Sequence, residues 1–260
     1  MSELVRAEVD GHVALITLDR PEARNAVNGQ FARDFESVLD RLEADDAVRV
    51  AVLGANTSGQ VRPVFCAGAD LKAISTGDTG LSTRKGGFAG FVYRPRLFPV
   101  IAAVDGLATA GGCEIVLACD MVVASDRSAF GLAEVRRNLI AAAGGLFRLP
   151  RAIGSAVAME IILTGEPLPA PRAHQLGLVN RLVAPDEVAA TARSLADLVA
   201  AAAPLAVAAS RRVVLASAYE NDETLRRMSD TEIAAIMGSD DTREGLAAFI
   251  EKRPPRWQGR

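Results

Sequence analysis

The chain has 260 residues, of which 50% are hydrophobic and 23% charged, and a net charge of −3. A chain this long can bury a sizeable core without disulfide or metal support. Its acidic balance excludes a general nucleic-acid or membrane-surface binder, which is normally basic.

Two strand-like runs open the chain, at residues 4–9 and 13–18, separated by a turn at Asp10-Gly11 and stopped by Arg20-Pro21. Phe31, Phe35, Val38, Leu39 and Leu42 then recur at helical spacing. Residues 48–53 form a continuous apolar run, the mark of a buried strand. Residues 55–63 are polar and turn-like, and Phe65-Cys66 leads into a small-residue turn at Ala67-Gly68-Ala69. Residues 74–90, rich in Gly, Ser and Thr, read as a mobile loop. Residues 100–104 are another buried strand, Gly111-Gly112 opens a helix over 113–119, and residues 121–124 return to strand. From about Gly144 the pattern is mainly helical, over 151–163, 169–176, 186–201, 205–219, 221–237 and 239–252. The alternation in the first half predicts an α/β core over 1–195, followed by a helical region over 196–260.

Three cysteines (Cys66, Cys113, Cys119), with no CxxC pair, do not make a disulfide framework, and His12 and His174 stand far apart. No zinc or other metal site is expected. The first residues lack a charged segment followed by an apolar one. The apolar stretch 198–210 is broken by Pro204 and is too short to span a bilayer. The expectation is a reduced, cytoplasmic protein.

Three segments can carry chemistry: residues 65–72 (FCAGADLK), 104–114 (VDGLATAGGCE) and 130–135 (FGLAEV). In each of the first two, a strand runs into a small-residue turn and then a helix. Small residues let a ligand atom approach the backbone, and a helix start leaves N–H groups without intrahelical partners. Two such turns facing each other would make an oxyanion hole. The third segment supplies Glu134 in apolar surroundings, where a carboxyl pKa tends to rise.

Together these segments resemble the enoyl-CoA hydratase/isomerase (crotonase) family, and the resemblance covers essentially the whole chain. It includes the turn RPEARNA at 20–26, LTGE at 163–166, GLVN at 177–180 and EGLAAFIEKRP at 244–254. It implies stacked ββα units and a helical C-terminal region that drives trimerisation, or a dimer of trimers. It also implies an acyl-CoA thioester substrate, with no cofactor besides the coenzyme A of the substrate itself and no nucleic-acid or membrane partner. The backbone amides of Ala69 and Gly111 would hold the thioester oxygen. Glu114 would act as base toward water and Glu134 would donate the proton to Cα. Coenzyme A would lie against Arg24, Ala67, Ala69, Asp70, Leu71 and Lys72, with Phe249 and Lys252 near its adenine or phosphate.

The presence of both glutamates points to reversible hydration of a trans-2-enoyl-CoA in fatty-acid-type β-oxidation. The alternatives are Δ3,Δ2-enoyl-CoA isomerisation, hydration of a steroid, branched or carnitinyl thioester, or non-catalytic acyl-CoA binding. The chain departs from the family where many hydratases carry Pro-Gly-x-Gly-Gly: here residues 141–145 are AAAGG, and Asn138 stands where Gly is frequent. Arg136-Arg137 follows Glu134 closely, and an inward guanidinium would lower its pKa. Asp70 reads as a turn cap. Cys66 and Cys113 read as small buried residues, His12 and His174 as structural, and Trp257 as a packing anchor.

Overall fold

The computed structural model describes residues 3–260. They form two compact units, one ending at Ala196 and the other Asp197–Arg260. The first unit opens with an antiparallel hairpin, β1 (Val5–Asp10) and β2 (Val13–Leu18), turned by Gly11 at φ 61°. Helix α1 (Gly29–Glu43) comes next, and the Asn28 side chain caps it by accepting from the Phe31 amide at 2.9 Å. Its apolar stripe, Phe31, Phe35, Val38, Leu39 and Leu42, is buried.

The chain then repeats one manoeuvre. Strand β3 (Val50–Ala55) leads to β4 (Val64–Cys66) and the short α2 (Leu71–Ser75). A two-stranded ribbon, β5 (Ser82–Thr83) and β6 (Gly87–Phe88), intervenes. Next come β7 (Val100–Val104), β8 (Leu107–Thr109) and α3 (Gly111–Leu117). After them come β9 (Met121–Ser125), β10 (Ala129–Gly131) and a 3-10 turn, Glu134–Arg137. Each cycle gives its first strand to one sheet and its second to another, which is the stacked ββα arrangement that the resemblance implied.

The remainder of this unit is α4 (Gly145–Ile153), α5 (Ser155–Thr164), β11 (Leu168–Pro169), α6 (Ala170–Gln175), β12 (Arg181–Val183) and most of α7 (Val188–Ala200). The larger sheet has the order β1-β2-β3-β7-β9-β12, with every pair after the hairpin parallel. The smaller has the order β11-β10-β8-β4, in which β4, β8 and β10 are parallel neighbours. Parallel neighbours end on the same edge, so the turns that leave β4, β8 and β10 emerge side by side. That brings together segments separated by more than sixty residues in sequence.

The core is built on aromatic contacts under α1. Phe35 stacks on Phe91 at 4.8 Å and meets Phe31 edge-on at 6.2 Å, and all three are fully buried. Asn25 is the buried polar hub. Its side-chain oxygen accepts from the Arg20 amide at 2.8 Å, and its side-chain nitrogen donates to Asn56 O at 3.0 Å. Its carbonyl accepts from the Cys66 thiol at 3.1 Å.

The second unit contains α8 (Pro204–Ala216), α9 (Asp222–Met237) and α10 (Asp240–Glu251). Arg212 of α8 makes a bidentate pair with Glu232 of α9 at 2.6 and 2.5 Å. The final residues fold back on α10, where buried Asp241 accepts from the amides of Gln258 and Gly259 at 2.7 and 2.9 Å. The Trp257 indole donates to Ala201 O at 2.9 Å and its ring lies against Gly245.

Two expectations are corrected. The segment 74–90, expected as a loop throughout, contains the end of α2 and the two-stranded ribbon at 82–88. Ala89 and Gly87 take positive φ (57° and 67°), Thr83 donates to Glu36 at 2.6 Å, and Asp78 accepts from the amides of Gly29 and Gly80. The helix expected over 151–163 starts earlier, at Gly145, and is interrupted at Gly154 (φ 84°, ψ 149°), where an extended backbone cannot continue the helical ladder.

Replacing Phe35 by Ala removes a fully enclosed ring from the α1 interface. The expected loss is about 3–5 kcal/mol of unfolding free energy, measured by urea denaturation followed by circular dichroism. A loss below about 1 kcal/mol would mean that the Phe31–Phe35–Phe91 cluster can repack around the gap.

Candidate active site

The turns after β4, β8 and β10 line one cavity of about 550 Å³. Its wall includes Arg24, Ala67, Ala69, Leu71, Gly111, Glu114 and Glu134. Ala69 makes a parallel bridge with Val27, in which Val27 donates to Gly68 O and accepts from the Asp70 amide, both at 2.8 Å. Those bonds use the groups flanking Ala69 and leave its own N–H on the opposite side of the chain. Gly111 is the first residue of α3, so its N–H has no intrahelical acceptor.

The two turns touch. A Cβ added at Gly68 would lie 2.7 Å from the Gly111 nitrogen, and one at Gly112 would lie 2.1 Å from the Cys66 carbonyl oxygen. Ala110, between β8 and α3, takes φ 50° and ψ −129°, a region that L residues rarely occupy. Its amide donates to Gly131 O at 2.8 Å, and its carbonyl accepts from the Glu114 amide at 3.1 Å. A strained residue thus joins the middle turn to β10 and sets the first turn of α3.

Glu114 lies in that first turn and is only 3% exposed. Burial pushes its carboxyl pKa up to about 7 against the partial relief of the Gly145 amide, and the nearby Glu134 charge adds to the rise. The Gly145 N–H donates to Glu114 Oε1 at 2.9 Å, so the AAAGG segment still presents an amide to this carboxylate. The segment is held from outside by two side chains. The Tyr93 hydroxyl donates to Ala142 O at 2.8 Å, and Arg148 donates to Ala143 O at 3.2 Å and to Val92 O at 2.6 Å.

Glu134 opens the 3-10 turn beyond β10. Burial raises its carboxyl pKa, while its own amide and the Arg137 guanidinium pull it down. Its Oε2 is buried without a hydrogen-bond partner. Of the two arginines behind it, Arg136 turns away to pair with Glu166 and to donate to Thr164 O at 3.0 Å, whereas Arg137 lines the cavity. Asn138 takes φ 56°, which accounts for the frequency of glycine at that place in the family.

The other anticipated residues fall elsewhere. Asp70 caps α2, accepting from the amides of Lys72 and Ala73 at 3.0 Å each and pairing with Arg20 at 2.7 Å. That ties the 20–27 turn to the end of β4 and leaves the Asp70 carboxylate occupied. Lys72 is exposed on α2. Phe249, 85% exposed, and Lys252, at the left-handed end of α10, belong to the second unit. Cys66 is fully buried, which pushes its thiol pKa up to about 12, and burial with the two nearby glutamates raises Cys113 as well. Neither is poised as a thiolate nucleophile. His12 and His174 each hydrogen-bond a backbone carbonyl, of Ala47 and Val179. Among the described residues, no group of three or more His, Cys, Asp or Glu could hold a metal ion, and no single helix is long and apolar enough to cross a membrane.

Residues that the sequence did not mark also form the wall: Phe88 and Tyr93 from the ribbon and its exit, and Leu139, Ile140, Ala142 and Ala143. Phe88 lies over Gly111, where an added Cβ would be 2.5 Å from the ring.

The enoyl-CoA hydratase/isomerase family model matches residues 8–260. The chain is 36% identical over 269 residues to the carnitinyl-CoA dehydratase of Proteus mirabilis, with both chains covered completely. It is 37% identical over 257 residues to the (E)-benzylidenesuccinyl-CoA hydratase of Thauera aromatica, covering 98% of this chain and 99% of that one. The solved enoyl-CoA hydratase of Mycobacterium tuberculosis H37Rv superposes with a TM-score of 0.93 at 42% identity over the full length of both.

The raised pKa of Glu114 has a consequence for stability. The unfolded carboxyl titrates near 4.5 and the folded one near 7. Between those values the folded state keeps a proton that the unfolded state has lost, so stability falls as pH rises from about 4.5 to 7 and then levels off. The expected fall is on the order of 3 kcal/mol. Urea denaturation of the wild type and Glu114→Gln at pH 5 and pH 8 measures it. The variant should lack this component and gain relative stability at pH 8. An identical pH dependence in both proteins would contradict the burial assigned to this carboxyl.

Proposed function

Because the chain belongs to the enoyl-CoA hydratase/isomerase family, we propose that it reversibly adds water to a trans-2-enoyl-CoA to give the 3-hydroxyacyl-CoA. It is an enoyl-CoA hydratase-type enzyme, and an acyl-CoA thioester is the substrate class that the family implies. The observation that carries the reading is the meeting of Glu114 and Glu134 with Ala69 and Gly111 in the wall of one cavity, Gly111 standing at a helix start where its amide has no intrahelical acceptor.

In this mechanism the thioester oxygen accepts hydrogen bonds from the amides of Ala69 and Gly111, which makes Cβ electrophilic. Water held between the glutamates loses a proton to Glu114 as its oxygen bonds to Cβ. The π electrons move to the thioester as an enolate, stabilised by the same two amides, an effect typically worth ~10²–10³ in rate per donor. Glu134 then gives its proton to Cα and the enolate collapses. No electrons leave the system, so the reaction calls for no cofactor beyond the coenzyme A of the substrate. The Gly145 hydrogen bond favours the ionised form of Glu114 and suits a base. Glu134 has an oxygen buried with no donor facing it, an arrangement relieved when the group carries a proton, which suits the acid.

Coenzyme A is proposed to run past Arg24, Ala67, Leu71 and Lys72, while the contacts of Phe249 and Lys252 to its adenine or phosphate rest on the family resemblance alone. Relatives named for carnitinyl and benzylidenesuccinyl thioesters support a specialised acyl group as the second reading, beside unbranched fatty-acid β-oxidation. Self-association as a trimer or a dimer of trimers is part of the proposal. Leu246, Phe249 and Ile250 on α10 are 60–85% exposed, and an apolar face of that kind is usually covered. A cytoplasmic location accompanies it.

The test is loss of the conjugated enoyl-thioester absorbance. Glu114→Gln and Glu134→Gln should each lower kcat by about 10²–10⁴ with little change in acyl-CoA affinity. Hydration at the wild-type rate by either variant would overturn the assignment of roles.

A further inference from the structure

The cavity wall carries two guanidiniums, those of Arg24 and Arg137. Among the described residues neither has a carboxylate within ion-pair distance, in contrast to Arg20, Arg94, Arg127 and Arg136, which all do. The two stand at different places. Arg24 belongs to the turn whose carbonyl accepts from the Ala67 amide at 3.1 Å, on the side that the resemblance assigns to coenzyme A. Arg137 closes the 3-10 turn that Glu134 opens. At three residues per turn, positions i and i+3 eclipse each other, so Arg137 stands on the face of that turn from which Glu134 enters the cavity. Its positive charge is felt at the Glu134 carboxyl. The wall beside it continues through Leu139 and Ile140, 51% and 66% exposed, which offer apolar contact to a short acyl chain.

From this geometry we propose that Arg137 is a specificity-determining residue that binds a carboxylate borne by the acyl group of the substrate. The preferred thioester is then one whose acyl portion is itself an acid, and a quaternary-ammonium acyl group is disfavoured. This rests on the reading of the cavity as an acyl-CoA site. A planar guanidinium recognises a carboxylate through paired N–H donors. Of the two glutamates, Glu134 stands beside Arg137, and burial raises its carboxyl pKa, which lessens its opposition to a second carboxylate. Pairing with the substrate carboxylate also removes the pull of Arg137 on the Glu134 proton, so an acidic substrate completes the acid that it needs.

The test compares saturated mono-CoA thioesters of dicarboxylic acids with monocarboxylic acyl-CoAs of equal chain length. Binding is measured by calorimetry on the wild type, Arg137→Gln and Arg137→Lys. The wild type should bind the carboxylate-bearing member about tenfold to a hundredfold more tightly, the range of a hydrogen bond to a charged group. In R137Q the ratio should fall to near one, and in R137K it should be partly kept. Two results would overturn the proposal: no preference in the wild type, or an equal loss of affinity for both thioesters in R137Q, which would place Arg137 on the phosphates of coenzyme A. Turnover of the matching trans-2-unsaturated pairs is read separately. Absence of hydration with every thioester defeats the hydratase reading, while the binding ratio still decides on Arg137.

Discussion

The site depends on the absence of side chains between two turns of backbone. Gly112 packs so closely on the Cys66 carbonyl, and Gly68 on the Gly111 nitrogen, that a single methyl group at either position has no room. This contact sets the spacing between the amides of Ala69 and Gly111. It also places the start of α3 against the end of β4, and Glu114 therefore reaches the cavity from the first turn of that helix. The same junction holds Ala110 at φ 50°, a conformation costing about 1–3 kcal/mol in general. The junction is kept by its ties on both sides: β10 through Gly131, α3 through Glu114, and the buried Asn25 hub behind Cys66.

Around that rigid centre the support comes from elements remote in sequence. Many relatives put Pro-Gly ahead of the amide that faces the first glutamate, whereas this chain has three alanines. A proline restricts its own φ, but alanine does not. Here the restraint is external, from the Tyr93 hydroxyl on Ala142 and the Arg148 guanidinium bridging Ala143 and Val92. Arg148 is half-buried, with its pKa lowered by burial, and its charge also lowers the pKa of Glu114. One side chain thus fixes the loop and moderates the Glu114 carboxyl. The ribbon supplies Phe88 over Gly111 and leads to Tyr93.

The legibility of the sequence has a physical basis. Long periodic elements such as α1 and continuous apolar strands such as β7 announce themselves because burial dictates each residue. The small-residue turns could be recognised because close backbone approach restricts composition. Strands β8, β10 and β12 have three residues each, too few to display a period of two, and they escaped. Tyr93 and Arg148 escaped for another reason. Their role is a contact with a carbonyl, and a carbonyl has no residue identity for a sequence to show. Arg136 and Arg137 could be noticed beside Glu134, but only the 3-10 geometry separates the one that turns to Glu166 from the one that lines the cavity.

The two glutamates are not equivalent, and the difference lies in their hydrogen bonds rather than in burial, which raises both. Glu114 accepts from the Gly145 amide, a bond that favours its carboxylate. Glu134 has an oxygen shut away from solvent with no donor facing it. A carboxylate oxygen in that position is costly, and the cost is relieved when the group carries a proton or meets a donor from the ligand. The two carboxyls therefore meet different hydrogen-bonding surroundings in the wall of a single cavity. This asymmetry arises at the ends of β8 and β10, where one glutamate enters a helix whose neighbour offers an amide and the other enters a 3-10 turn that offers none beyond its own. Adjacent parallel strands bring the two carboxyls together, and the helical turn at the end of each strand leaves one with an amide donor that the other lacks.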